Sequence, residues 1–134
     1  HVWWGGLQRN GDLMLLLAYL LSRNAEWRGA KLVVTSVAST ELMRERTQNH
    51  LDELLPELRI KARTDILMKP DDMTVREMIF AQSQTADVTF LGLPVPEVGK
   101  ETEAAERMAG MAEGLSTVFF VNNSSPFGGE LVET

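Results

Sequence analysis

The sequence predicts an α/β fold, a three-layer αβα domain built on a five-stranded parallel sheet. Two observations carry that reading. Five short runs rich in β-branched and aromatic residues alternate with four segments whose apolar residues recur at helical spacing, the order that builds a parallel sheet through helical crossovers. The runs are also nearly continuous in apolar residues, as strands buried on both faces must be. Neither a linker nor an internal repeat divides the 134 residues. The chain therefore reads as one domain, 1–134, able to bury roughly two-thirds of the surface its unfolded form exposes.

Each element has its own signal. Val2 to Trp4 is a short strand, followed by a glycine-rich turn containing Gly5, Gly6 and Gly11. Asp12 suits the start of a helix running from Leu13 to about Asn24, and Trp27-Arg-Gly29 breaks it. Ala30 to Ala38 is β-branched and fits a buried strand. Ser39 or Thr40 caps an amphipathic helix that places Met43, Thr47, Leu51, Leu54 and Leu55 on one face and has Pro56 at its end. Arg59 to Met68 alternates like a strand nearer the sheet edge. Thr74-Val-Arg-Glu77 is a capping box that opens a third helix, with Val75, Met78 and Ile79 inward, reaching about Thr85. Asp87 to Gly92 is the fourth strand, broken by Pro94 and Pro96. Glu101 to Glu113 is the fourth helix, expected to pack Ala105, Met108, Ala109 and Met111, with Gly114 as its stop. Ser116 to Val121 is the fifth strand, and the tail from Asn122 to Thr134 reads as a loop.

Composition narrows the function classes. A net charge of -6 and a pI near 4.9 argue against a nucleic-acid partner, which would need clustered Lys and Arg. With no cysteine there is neither a disulfide framework nor a thiolate metal site, as suits a reducing compartment. The longest apolar run, Leu13 to Leu21, is far shorter than the about 20 residues of a membrane span, so no membrane insertion of this chain is expected. It carries no basic leader or small-residue cleavage site, and is no signal peptide. The chain opens on His1 rather than a methionine, which predicts a piece excised from something longer.

Doubly wound sheets bind ligands at the carboxyl ends of their strands, where the winding reverses. Gly5, Gly6 and Gly11 after the first strand, with Gly92 and Pro94 after the fourth, are the candidate cofactor-binding loops on that rim. The glycines have two readings: a phosphate cradle at a helix N-terminus, or simply a tight strand-to-helix turn. Asp12 at the helix start favours the second, because it would repel a phosphate. Gly92 to Glu101 is not a P-loop: six residues separate Gly92 from Gly99, and Glu101 stands where a magnesium-binding hydroxyl belongs.

Catalytic groups are sparse. His50 lies on a charged amphipathic helix and reads as a solvated or pocket-edge residue. Ser36, Ser39 and Ser83 lack a nucleophile elbow. His50 and Asp52 point to different helix faces, so no metal site forms from them. Asp71 and Asp72 suit the positive end of the third helix, and Glu41 to Arg46 reads as a solvated face. The seven methionines read as core gap-fillers. No catalytic residue, metal or cofactor is expected.

The first helix is apolar around its whole circumference. Such a helix must be covered on more than one side, yet the sheet of one small domain covers only one. Its outward side is therefore expected to meet another lobe of the same protein or a second copy of the domain.

Trp3-Trp4-Gly5-Gly6, Asp12 followed by the run to Leu21, Trp27, Leu91-Gly-Leu-Pro-Val-Pro96 and Thr117-Val-Phe-Phe-Val-Asn122 together resemble the cytosolic carboxy-terminal domain of the cation-chloride cotransporter family. The resemblance runs from end to end but is strongest at these stations. It implies a fold like that of universal stress proteins. It further implies a non-catalytic regulatory or assembly role, on the cytoplasmic side of an integral membrane transporter of the Na-K-Cl type. The family's transport residues lie in the membrane region, so none carries over. A nucleotide-sensing module of the stress-protein type is the alternative. Nucleotide-binding stress proteins have Gly-x-x-Gly after the fourth strand, whereas Val95 holds the second glycine's place here.

Overall fold

A computed structural model describes residues 1–5, 11–92 and 98–122. In them five strands, β1 (Val2–Trp3), β2 (Val33–Ala38), β3 (Arg63–Met68), β4 (Thr89–Gly92) and β5 (Val118–Val121), alternate with four helices. The helices are α1 (Gly11–Arg23), α2 (Glu41–Glu57), α3 (Val75–Ser83) and α4 (Glu101–Ala112). All strand pairs are parallel, and the order across the sheet is β3-β2-β1-β4-β5. The expected α/β architecture is what forms. The alternating strand, β3, is indeed at an edge, and the winding reverses between β1 and β4.

Strand register divides the side chains between two faces. Val2, Val34, Phe90 and Val121 pack with Met14, Leu15 and Ala18 of α1 and with Leu51 and Leu55 of α2. On the other face Trp3, Ile79 and Leu91 form a smaller cluster, bordered by Val37, Leu67, Met111, Leu115, Val118 and Phe120. The sheet is thus sandwiched, with α1 and α2 over one face and α3 and α4 over the other.

Caps confirm several sequence signals. Thr40 accepts from the Met43 N–H at 3.1 Å to open α2. Thr74 and Glu77 form the reciprocal box at α3. Gly114, at φ 82°, follows α4 as its stop. Pro56 sits at the end of α2 as expected, one residue before the last, Glu57. The helix closes through two backbone bonds, Ile60 N–H to Leu55 O and Arg59 N–H to Pro56 O, both 3.0 Å. This Schellman pattern needs a left-handed residue, and Arg59 supplies it at φ 58°.

Some inward assignments are corrected. Met43 and Val75 are exposed, as are Ala105 and Ala109. The methionines divide too: Met14 and Met78 are buried core residues, whereas Met43 and Met68 face outward. Met43 and Val75 lie in the first turns of α2 and α3, where the chain has just left the sheet. Element bounds shift by a few residues: α1 begins at Gly11 rather than Leu13, and β2 begins at Val33 rather than Ala30.

Candidate functional site

The reversal between β1 and β4 places Gly5 and Gly92 on the carboxyl rim, where doubly wound sheets hold ligands. Gly6 and Pro94 lie outside the described residues. Gly11 opens α1 beside that rim.

Trp4 occupies this corner. Its N–H donates to Thr35 O at 2.7 Å, extending the pairing of β1 with β2. Its carbonyl accepts from the buried Ser36 hydroxyl at 2.8 Å. The backbone so fixed turns the indole toward α1 and α2. There the ring meets His50, centroids 5.8 Å apart and tilted by 46°. It also covers Gly11 so closely that a β-carbon there would stand 2.5 Å from the indole. Gly11 is therefore a glycine because Trp4 packs on it. At Gly5 a β-carbon would meet nothing within 4 Å. Packing against Trp4 accounts for Gly11 without a bound phosphate. Asp12 sits in the first turn of α1, adding negative charge at this corner.

His50 is exposed on α2, at the edge of the Trp4 corner. Ser39 donates to the Met43 sulfur at 3.1 Å. Ser83, fully buried in α3, accepts from Trp3 Nε1 at 2.9 Å and pairs with His1 Nδ1 at the same distance. These bonds tie α3 to β1. Asp71 and Asp72 lie in the turn ahead of α3. Among the described residues no group of three or more His, Cys, Asp or Glu is placed to hold a metal ion. No helix among them is long and apolar enough to cross a membrane.

The surface that stands out is the outward side of α1. Met14, Leu15 and Ala18 are buried against the sheet, while Leu16 and Leu17 are each 37% exposed and Leu20 is 56% exposed. Among the described residues the domain thus buries one side of this helix and leaves the other partly exposed, most of all at Leu20. The apolar circumference of α1 already marked this in the sequence. The role of Trp4 had no such signal, because it depends on contacts with α1, α2 and β2.

Residues 1–74 match the family model described as Solute carrier family 12, a span that holds β1 to β3 with α1 and α2. No curated protein matches the chain.

Proposed function

The chain belongs to solute carrier family 12, and from that premise we propose that it is a non-catalytic regulatory and assembly domain of a cation-chloride cotransporter. In this reading it is of the Na-K-Cl type and hangs on the cytoplasmic side of the membrane. The family's members are transporters, and permeation is the work of a membrane region. The soluble domain's part is to hold transport units together and to transmit a signal to them. The strand order β3-β2-β1-β4-β5 supports the accompanying proposal of a stress-protein-like fold.

The observation that carries the proposal is the uncovered leucine face of α1. Exposed apolar patches of this kind on soluble domains mark interaction sites. Each Å² covered is worth about 25 cal/mol before association costs. A partner lobe or a second copy is what would cover it.

The test is made in the full-length transporter carrying this domain, with chloride-dependent rubidium uptake as readout. Leu17→Asp with Leu20→Asp should lower uptake at unchanged surface expression, and should reduce cross-linking between transporter subunits or lobes. Uptake and cross-linking both equal to those of the parent would refute an assembly role for this face.

A further inference from the structure

We infer that the amino-end rim of the sheet, on the side of β2 and β3, is a peripheral contact surface for the anionic headgroups of a membrane leaflet. The inference rests on the reading that the domain lies on the cytoplasmic side of a membrane, and adds which of its surfaces faces the lipid.

All strands are parallel, so their amino ends share one rim. Arg23 closes α1 there, Arg28 and Lys31 lie in the connection to β2, and Arg59, Lys61 and Arg63 lead into β3. All six are exposed, and the same stretches, 23–32 and 57–63, hold two acids, Glu26 and Glu57. Among the described residues only Arg63 of the six forms an ion pair, with Asp65 at 3.1 Å. Helix dipoles do not account for these bases, because the effect falls off within the last turn. Of the four helices only α1 has a base in that turn. Trp27 stands among the bases, at the end of a short 3₁₀ turn, Ala25–Trp27. Its carbonyl accepts from the Ala30 N–H at 2.9 Å, which holds the loop. Trp27, Gly29, Lys31 and Arg63 line a cavity of about 470 Å³, and Asp87 is the one acid among the described residues lining it.

The opposite, carboxyl-end rim is acidic. Asp12, Glu41, Glu101 and Glu103 occupy first turns of helices, and Asp71 and Asp72 the turn ahead of α3. The net charge of -6 is therefore unevenly placed. The six residues of β2 set the two rims about 20 Å apart, more than twice the Debye length of about 8 Å at physiological salt. A negative surface at the basic rim thus meets the bases while the acids beyond are screened. The form of the patch selects a lipid surface over an acidic protein. Its bases are spread over a helix end, two connections and a strand start, as contact with an extended charged plane requires. Trp is also the side chain that seats at headgroup depth, and the cytoplasmic leaflet carries the anionic lipids that attract Lys and Arg. Such a contact is electrostatic and needs no spanning helix.

The experiment is vesicle co-sedimentation of the chain at about 0.1 M salt, with folding followed by circular dichroism. Vesicles of phosphatidylserine and phosphatidylcholine in about equal parts should bind it saturably, and phosphatidylcholine alone should not. Arg28→Glu with Lys31→Glu should weaken binding by about tenfold or more, and Trp27→Ala should weaken it severalfold. Arg44→Glu with Arg46→Glu makes the same change in net charge in the first half of α2, toward the opposite rim. That pair should leave binding within about twofold. Sodium phosphate should release the domain no more than sodium chloride of equal ionic strength. In the unaltered chain, about 0.5 M salt should lower binding by about tenfold or more. Persistence at that salt overturns the inference even where a variant fails to fold. Absence of binding to the anionic vesicles overturns it too, as does equal binding to the neutral ones. So does full binding by either rim variant, or equal loss from the two charge-reversed pairs. Greater release by phosphate would replace the surface with a discrete site for a soluble anion. None of these results bears on the uptake and cross-linking test of α1, which stands or falls separately.

Discussion

The indole of Trp4 rests on the backbone of Gly11, close enough that a β-carbon at Gly11 would stand 2.5, 2.7 and 2.9 Å from three ring carbons. Neither residue has freedom to yield at no cost. Trp4 is held through its own N–H and carbonyl to Thr35 and Ser36 of β2. Gly11 is the first residue of α1, whose next turn is locked into the core by Met14 and Leu15.

Gly11→Ala should therefore destabilise the domain by about 1–3 kcal/mol, the range for overpacking a fitted site. Helix propensity alone favours alanine by about 1 kcal/mol, so the sign of the result decides which effect wins. In a Trp4→Leu background the clash is gone, and the same substitution should become neutral or stabilising. Urea denaturation of the four proteins gives the coupling energy. Equal effects of Gly11→Ala in both backgrounds would show that the ring is not the obstacle.

Ser83 is the second point where one small side chain serves a large one. Its hydroxyl accepts from the Trp3 indole N–H inside the domain. Ser83→Ala leaves that donor buried without its acceptor, which costs about 1–3 kcal/mol. Trp3→Phe removes the donor, so in that background the serine should contribute less. Thermal unfolding of the single and double variants measures the difference. Strict additivity would mean that the bond contributes nothing beyond packing.

The order of strands and helices was legible in the sequence because period-2 and period-3.6 patterns are local properties. The edge position of β3 was legible too, since its residues alternate instead of forming a continuous apolar run. Periodicity does not say how far a sheet extends beneath a helix. That is why Ala105 and Ala109 of α4 look inward in the pattern yet are exposed, beside the short β4 and β5. The bonds of Ser83 join positions 80 or more apart in the chain, and no local rule reaches that distance. The glycine turn was half legible: its place on the rim followed from topology, whereas the packing that requires Gly11 follows from Trp4.

Arg59 offers a gain in stability. It holds φ 58° at the end of α2, where the backbone bonds of Ile60 and Arg59 close the helix. Left-handed conformation costs an L residue about 1–2 kcal/mol, and glycine avoids that cost. Glycine also adds freedom to the unfolded chain, which returns about 0.4–1 kcal/mol of the gain. Arg59→Gly should therefore stabilise the domain by about 0.5–1 kcal/mol. A higher midpoint in urea with an unchanged slope is the expected result. A loss of stability would mean that the arginine side chain contributes more than its backbone costs.

The rim at the reversal of the sheet is the place to look for a nucleotide, and tight binding of adenine nucleotides is not expected there. The close approach of a phosphate to backbone N–H groups needs glycines free of neighbouring side chains. Gly11 is covered by the Trp4 ring. Asp12 follows it in the first turn of α1, placing a carboxylate where the helix dipole would otherwise attract a phosphate. After β4, Val95 holds the position at which nucleotide-binding stress proteins carry their second glycine. Calorimetric titration with magnesium-ATP should give no saturable heat in the low-micromolar range. Trp4→Ala with Asp12→Asn removes both the cover and the charge. Binding that emerges only in this double variant would show that the corner retains a nucleotide-sized site closed by its own side chains. A saturable isotherm with the unaltered chain would overturn the prediction and favour a nucleotide-sensing role.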